Sequence, residues 1–154
     1  MGTLIQIADL PVLRQKAYQE HKTISLANGC FDLLHSGHVN YLRDSKALAD
    51  ILVVALNSDA SVHNLKGTKR LMFPEHERAQ IVCALIYVDY VILFDELDVI
   101  AILKMLQPDF HCKGSDYTVE SVPEKAISDQ LNIQTRIVGG PKLYSSTDLK
   151  KHQK

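Results

Sequence analysis

The chain has few cysteines, no long apolar run and almost no net charge, and each of these shortages excludes a class of protein. Its three cysteines, Cys30, Cys83 and Cys112, have no Cys-x-x-Cys spacing, so we interpret them as reduced thiols. No apolar stretch approaches the ~18 residues needed to cross a bilayer. The formal net charge of -1 is not that of a protein that binds nucleic acid through bulk charge.

The composition is otherwise that of an ordinary globular protein. The 154 residues are 46% hydrophobic and 23% charged, which predicts one domain over residues 1–154 with a core of its own. The first residues lack the basic start and apolar run of a signal peptide. We therefore expect a cytoplasmic protein with neither a membrane nor a nucleic acid as partner.

Short apolar runs alternate with stretches of helical periodicity along the whole chain. The predicted strands cover residues 23–27, 51–56, 90–94, 110–113 and 133–138. The predicted helices cover residues 9–20, 37–48, 74–86, 97–106 and 123–131, and a short last helix begins near Ser146. This alternation predicts an α/β fold, Rossmann-like, with a doubly wound five-stranded parallel sheet and helices on both faces.

In such a sheet, ligands bind beyond the carboxyl ends of the strands, near the switch in strand order. The loops at that edge are therefore the candidate functional loops, and they cover residues 28–38, 57–73, 113–118 and 139–147. The segment 65–73 has no clear periodicity, and we predict that it is a mobile basic loop.

The first of these loops has the clearest chemical signal, His35-Ser36-Gly37-His38 at the start of a predicted helix. A helix N-terminus offers unpaired N–H groups and a partial positive charge, which suit a phosphate. Gly37 permits close approach of the phosphate, and two imidazoles can donate hydrogen bonds to its oxygens. Ordinary loop histidines are one alternative, and a zinc site of Cys30, His35 and His38 is another, but the loop supplies no fourth ligand.

The motifs of several loops resemble those of one enzyme superfamily. Asn-Gly-Cys-Phe-Asp followed by His-Ser-Gly-His is similar to the His-x-Gly-His nucleotidyltransferases, in their cytidylyltransferase-like branch. Leu-Lys-Gly, Cys-Lys-Gly-Ser-Asp-Tyr and Ser-Ser-Thr resemble segments of the D-glycero-β-D-manno-heptose 1-phosphate adenylyltransferases within that branch. The resemblance covers nearly the whole chain and implies a single nucleotidyltransferase domain.

The resemblance implies roles for individual residues. His35, His38 and Lys66 are the expected catalytic residues, and the two histidines would stabilise charge on the α-phosphate. The expected substrate-binding residues are Asp32, Asn57, Lys66 and Arg78. The expected nucleotide-binding residues are Asn28, Gly29, Cys30, Phe31, Gly37, His38, Lys113, Gly114, Asp116, Ser145, Ser146 and Thr147.

Several of these residues have a second, structural interpretation. Asp32 can brace the following helix instead of contacting a substrate or metal, and Asp116 can cap a turn instead of holding a ribose hydroxyl. Cys30 is a tempting nucleophile, but we interpret it as a packed loop thiol. The hydroxyls of 145–147 can cap a helix and bind phosphate at once.

The basic residues near the site are similarly ambiguous. Lys66, Lys69 and Arg70 form either a solvated charge run or a set of contacts to substrate and phosphates. Lys46 lies on the helix that follows the His-Ser-Gly-His motif, where it faces either phosphate or solvent.

The resemblance also implies the reaction and its partners. ATP, or CTP, and a small phosphorylated substrate would bind, and Mg²⁺ would be held mainly by the triphosphate without protein ligands. Glycerol-3-phosphate cytidylyltransferases usually carry an Arg-Thr-Glu-Gly-Ile-Ser segment that residues 140–145 lack, which favours ATP. A cytidylyltransferase and a non-catalytic nucleotide-binding regulator are the alternatives. Because relatives often form dimers, a homodimer or higher homo-oligomer is implied.

Overall fold

The computed structural model describes residues 1–67 and 71–141 of the chain, and only the backbone of Lys66. The predicted last helix and the predicted phosphate cradle of Ser145, Ser146 and Thr147 lie outside these ranges. Lys69, Arg70 and the segment 142–144, which bears on the choice of nucleotide, lie outside them too.

Within the described residues, strands and helices alternate as the sequence predicts. The strands are β1 (Thr3–Leu4), β2 (Ile24–Gly29), β3 (Ile51–Asn57), β4 (Tyr90–Phe94), β5 (Phe110–Gly114) and β6 (Gln134–Val138). The helices are α1 (Leu10–Gln19), α2 (Ser36–Ala47), α3 (Asp59–Lys66), α4 (Glu75–Cys83), α5 (Ile100–Leu106) and α6 (Lys125–Gln130). Single 3₁₀ turns occupy Ile7–Asp9 and Val119–Ser121.

The sheet is parallel, and its strand order is β1-β4-β3-β2-β5-β6. From β2, the chain adds β3 and then β4 on one side, and β1 pairs with β4 at that edge. The chain then returns and adds β5 and β6 on the other side of β2. The switch in order falls between β2 and β5, as expected for a doubly wound sheet. The prediction of five strands is wrong by one, because the two-residue edge strand β1 is too short and too exposed to give a pattern.

The core has two parts, one on each face of the sheet. On one face, α1 and α5 pack through residues such as Leu13 and Leu103 against Leu26 and Val53. On the other face, α2 and α4 pack through residues such as Leu42 and Val82 against Leu52. Neighbouring residues of β3 alternate between the two clusters, so this strand is buried on both sides, as its continuous apolar run predicts.

The prediction that residues 57–73 form a loop is wrong in its first half, where α3 lies. Ser58 starts this helix, because its hydroxyl accepts a hydrogen bond from Ser61 N at 3.1 Å. Asp59 lies in the first turn, where a negative charge is favourable, and Gly67 ends the helix at a φ of 65°. The helix is only 8 residues long, so its periodicity is short.

Other predicted helices are shorter than their patterns suggest. The helix α4 ends at Cys83 and not near residue 86, and α5 begins at Ile100 and not at Leu97. Among the described residues, no helix has both the length and the apolarity of a membrane span.

Candidate active site

A cleft of about 430 Å³ lies at the carboxyl edge of the sheet. Each of the five strands β2 to β6 contributes residues from its last two positions, which are Asn28, Gly29, Asn57, Phe94, Lys113, Gly114 and Val138. The cleft spans the switch between β2 and β5, where ligands bind in doubly wound sheets. Most of the predicted nucleotide-binding residues among those described also line it: Asn28, Gly29, Phe31, Gly37, His38, Lys113, Gly114 and Asp116.

The motif His35-Ser36-Gly37-His38 lies at the N-terminus of α2, as predicted, and three of its residues line the cleft. The two imidazole rings lie 4.0 Å apart between centroids. His35 caps the helix, because its Nδ1 accepts a hydrogen bond from Gly37 N at 3.1 Å. An Nδ1 that accepts leaves the hydrogen of neutral His35 on Nε2, so the ring retains a donor. The arrangement suits an anion, since the helix N-terminus and the imidazoles are on one side of the cleft.

Phe31 fixes the position of His38 within this loop. Its ring centroid is 5.2 Å from that of His38 and 6.4 Å from that of Tyr41, and the side chain is only 3% exposed. The φ of Phe31 is 47°, a left-handed value that is costly for a residue with a side chain. Such a conformation persists only where packing over-determines it, and the aromatic contacts supply that packing here.

Tyr41 ties the end of β2 to β5. Its hydroxyl donates to Cys112 O at 2.8 Å and accepts from Asn28 N at 3.2 Å. Burial raises the pKa of Tyr41, so the hydroxyl stays protonated and keeps its role as a donor. The switch point of the sheet is thus closed by a side chain of α2.

On the other side of Asn28 lies a second buried polar group, His111 of β5. Its Nε2 is 3.3 Å from Asn28 Oδ1, and the side chain is fully buried. Burial, together with the nearby charge of Lys113, lowers the pKa of His111 to about 3, so the ring is neutral near pH 7.

Lys113 and Glu124 form a buried ion pair in the wall of the cleft. The Nζ of Lys113 is 3.3 Å from Oε2 of Glu124, and the two side chains are 9% and 4% exposed. The same ammonium lies 5.4 Å from the ring centroid of Tyr117. Lys113 is thus at the site, as predicted, but its charge is balanced by a carboxylate from the segment before α6.

Arg78 is fully buried and binds acceptors of the protein instead of facing solvent. Its guanidinium donates to the carbonyl oxygens of Phe73, Cys30 and Asn57 at 2.6–3.2 Å. It also forms an ion pair with Asp59 at 2.6 Å. Among the described residues, Arg78 thus clamps together β3, α3, α4 and the loop after β2, and its contact with a substrate phosphate stays a prediction.

Asp32 braces the segment before α4, and bracing of the following helix stays a prediction. Its Oδ1 accepts a hydrogen bond from Met72 N at 2.8 Å, and the side chain is only 7% exposed. The N-cap of the following helix is His35. Asp32 therefore connects the loop after β2 to the segment before α4.

Cys30 and Asn57 are neighbours at the ends of β2 and β3. The Sγ of Cys30 is 3.8 Å from Asn57 Oδ1, and Asn57 Nδ2 donates to Ser61 Oγ at 2.9 Å. The amide of Asn57 is thus bonded at both ends inside the protein, although the residue lines the cleft. Cys30 is a partly buried thiol in this network, as its structural interpretation expects.

Two other basic residues, Lys46 and Lys66, lie near the C-terminal ends of α2 and α3. Lys46 lies at the far end of α2, where its Nζ is 2.7 Å from Asp89 Oδ2 and also donates to Asp50 O. It is therefore remote from the motif histidines and pairs with protein groups. Lys66 is the last residue of α3, and the preceding Leu65 lines the cleft.

Gly139 closes the cleft after β6. Its φ is 92°, and a Cβ at this position would lie 3.1 Å from Tyr41 Cα. Both the left-handed backbone and the close approach to α2 require glycine.

The sequence gives little sign of several residues that shape the site. They are Tyr41, Phe94, Leu97, Asp98, His111, Pro123 and Glu124. Tyr41 has a detectable signal, since it follows His38 by three positions and so shares a face of α2 with it. His111 and Glu124 have none, because they lie in a short strand and a loop whose partners are distant in sequence.

Comparisons with known proteins agree with this geometry. A family model described as cytidylyltransferase-like matches residues 26–151. The bifunctional protein HldE of Citrifermentans bemidjiense is 50% identical over 120 residues, which are 76% of this chain and 25% of that protein. The bifunctional protein HldE of Helicobacter pylori strain G27 is 42% identical over 142 residues, which are 92% of this chain and 30% of that protein. The chain thus spans less than a third of the length of these relatives.

Two solved structures have the same fold. A lipopolysaccharide core biosynthesis protein from Thermoplasma volcanium GSS1 is 32% identical with a TM-score of 0.63, over 75% of this chain and 93% of that one. A pantoate-beta-alanine ligase from Francisella tularensis is 14% identical with a TM-score of 0.69, over 100% of this chain and 74% of that one, a likeness of fold alone. The family model, the relatives and the motif at α2 agree: the chain belongs to the cytidylyltransferase-like family.

Proposed function

We propose that this protein is a nucleotidyltransferase that transfers AMP from ATP to D-glycero-β-D-manno-heptose 1-phosphate and releases pyrophosphate. The observation that carries the proposal is the pair His35 and His38 around Gly37, at a helix N-terminus inside the cleft. The choice of acceptor is supported by the motif resemblance. It is also supported by the relatives, which include a protein named for lipopolysaccharide core biosynthesis.

The phosphates of the nucleotide would bind at the N-terminus of α2. The positive end of the α2 dipole and the imidazoles of His35 and His38 would attract the phosphoryl oxygens. His38 lies against His35 and is held by Phe31, so both rings are oriented before the ligand arrives. Charge that builds on the α-phosphate in the transition state would thus meet preorganised donors.

The reaction itself would need no strong base. An oxygen of the sugar phosphate, already anionic at neutral pH, attacks the α-phosphorus of ATP. The bond from that phosphorus to the bridging oxygen of the β-phosphate breaks, and pyrophosphate leaves with the electron pair. Rate enhancement would come from in-line positioning of the two phosphates and from charge stabilisation.

Mg²⁺ belongs to this proposal as an ion that is held chiefly by the triphosphate. Of the carboxylates in the cleft, Glu124 is paired with Lys113, and Asp98 Oδ1 accepts from Ile100 N at 2.9 Å. The described residues contain no group of three His, Cys, Asp or Glu side chains that could hold a metal ion. When bound, it would neutralise charge on the triphosphate.

The proposal is tested by measuring pyrophosphate release with each nucleoside triphosphate against a panel of sugar 1-phosphates and polyol phosphates. We expect release with ATP and the heptose 1-phosphate, and mass spectrometry should then detect ADP-heptose. Release with CTP and glycerol 3-phosphate would make the protein a cytidylyltransferase instead. Binding of ATP without release with any acceptor would favour a regulator.

A further inference from the structure

The carboxamide of Asn28 can turn either its oxygen or its NH₂ group toward a ligand, and a hydrogen bond to a buried histidine can fix its orientation. Asn28 lies at the carboxyl end of β2 and lines the cleft. Its carbonyl presents an acceptor, whereas its NH₂ group presents two donors. Which of them faces a ligand decides whether the position attracts or repels an anion.

The geometry of the sheet brings His111 to this carboxamide. In the register of β2 and β5, His111 lies beside Leu26, so Asn28 is its diagonal neighbour on the same face. The Nε2 of His111 is 3.3 Å from Asn28 Oδ1. Because a carbonyl oxygen only accepts, this contact is a hydrogen bond when the imidazole hydrogen is on Nε2.

One polar group of Asn28, which lines the cleft, is left to bind a ligand. With Oδ1 engaged by His111, and with the backbone N–H engaged by the Tyr41 hydroxyl, the NH₂ group of Asn28 is the donor left for a ligand. His111 Nδ1 is buried and has no hydrogen-bond partner among the described residues, which gives the ring no second anchor. The buried ring thus makes one hydrogen bond there, and that bond is to the carboxamide.

We infer that His111 is a positioning residue, whose Nε2–H holds the Asn28 carboxamide with its NH₂ group toward an acceptor atom of the bound nucleotide. This inference rests on the proposed function only in that the ligand is a nucleoside triphosphate. Phosphate oxygens are the most numerous acceptors of such a ligand, and the Asn28 NH₂ adds a neutral donor to those of α2.

The experiment measures ATP binding by calorimetry, together with KM and kcat, in His111→Phe, His111→Gln, Asn28→Ala and the double variant His111→Phe/Asn28→Ala. Phenylalanine keeps the ring but removes the donor, whereas the amide of glutamine can replace Nε2–H. For His111→Phe we expect Kd and KM for ATP to rise about fivefold, the effect of losing one neutral hydrogen bond, with kcat and the acceptor KM within twofold. His111→Gln should recover most of the loss.

The double variant distinguishes action through Asn28 from general damage to the sheet. If His111 acts through the carboxamide, the double variant binds ATP no more weakly than Asn28→Ala. Additive losses would overturn the inference, and so would an unchanged Kd in His111→Phe. Leu26→Val is the matched control, because it perturbs the packing beside His111 without removing a hydrogen bond. An equal rise of Kd in that control would contradict a positioning role.

The tautomer supplies a readout that a merely structural histidine would not require. In ¹H–¹⁵N spectra of the imidazole, we expect the hydrogen of His111 on Nε2, and a hydrogen on Nδ1 would overturn the assignment. If the protein binds ATP but shows no turnover, the proposed function is wrong, and the Kd values for ATP still test this inference. If the protein binds no nucleoside triphosphate, both fail.

Discussion

The two edges of the sheet carry cavities of nearly equal size, yet they differ in what their polar groups are engaged with. The cleft at the carboxyl edge measures about 430 Å³, and the cavity at the amino edge about 390 Å³. At the carboxyl edge, a helix N-terminus and two imidazoles face the space. At the amino edge, the charged groups are paired with each other, as Lys22 is with Glu20 and Lys46 with Asp89.

The comparison shows that cavity volume says little about function in this fold. Parallel strands place the N-termini of the helices that follow them at the carboxyl edge, so the donors and positive dipole ends collect there. The amino edge receives helix C-termini, where lysines such as Lys46 are favourable for stability alone. Substitutions at the two edges should therefore have different consequences.

The largest difference should appear in turnover. His38→Ala at the carboxyl edge should lower kcat by ~10²–10³, the usual effect of removing one preorganised donor at developing charge. Lys22→Ala, which changes an exposed ion pair at the amino edge, should leave kcat within twofold. Pyrophosphate release under saturating ATP measures both, and equal kcat values for the two variants would remove the distinction between the edges.

The next effect concerns stability. Arg78→Met removes a buried guanidinium that bonds three carbonyl oxygens and the Asp59 carboxylate, so we expect the free energy of unfolding to fall by about 3 kcal/mol. Urea denaturation measures this loss. Arg78→Lys should recover little of it, because an ammonium lacks the planar fork. A variant as stable as the wild type would mean that Arg78 is not a clamp and is available to a substrate.

A smaller effect should appear as a pH dependence of stability. Below pH 6.5 the unfolded chain protonates His111, whereas the folded protein, with a pKa of about 3 for this residue, does not. Stability from this source is thus present at neutral pH and is lost as pH falls from about 6.5 toward 3, by about 2 kcal/mol at pH 5.

This loss is measured against a variant that lacks the titrating group. Between pH 7.5 and pH 5, the wild type should lose about 2 kcal/mol more than His111→Phe. The carboxylates are common to both proteins, and Lys113, whose charge contributes to the lowered pKa, is unchanged. Parallel stability curves for the two proteins would show that His111 is protonated equally in the folded and unfolded states.

The smallest effect should be that of Lys46→Ala. Its ion pair with Asp89 is partly exposed on both sides, so its removal should cost under about 1 kcal/mol and leave ATP binding unchanged. Weaker binding of ATP by this variant would indicate that Lys46 contacts the nucleotide, which its position at the amino edge does not predict.

The elements that the sequence predicts well are those with local causes. The strands β3 and β4 follow from uninterrupted apolar runs, and the motif of α2 follows from two histidines and a glycine in four residues. The strand β1 and the helix α3 escape prediction because two and eight residues give little periodicity. Their boundaries depend on pairing with β4 and on a serine cap.

The sequence predicts which residues lie at the site better than it predicts their hydrogen-bond partners. Arg78 lies near the carboxyl edge of the sheet, as expected, but its hydrogen-bond acceptors lie 5 to 48 positions away along the chain. The pairs His111–Asn28 and Tyr41–Cys112 join residues 83 and 71 positions apart. Burial and tertiary pairing, which no local pattern encodes, decide whether such a side chain binds a ligand or the protein itself.

The edge strand β1 has a practical use. Thr3 lies beside Tyr90, the first residue of β4, and Met1 is fully exposed, so residue 1 lies at the amino edge of the sheet, opposite the cleft. A fluorophore or surface tether attached at residue 1 would stand well clear of the motif histidines. Immobilised protein would then present its cleft to the flowing solution, and the binding of each triphosphate could be followed on one sensor surface.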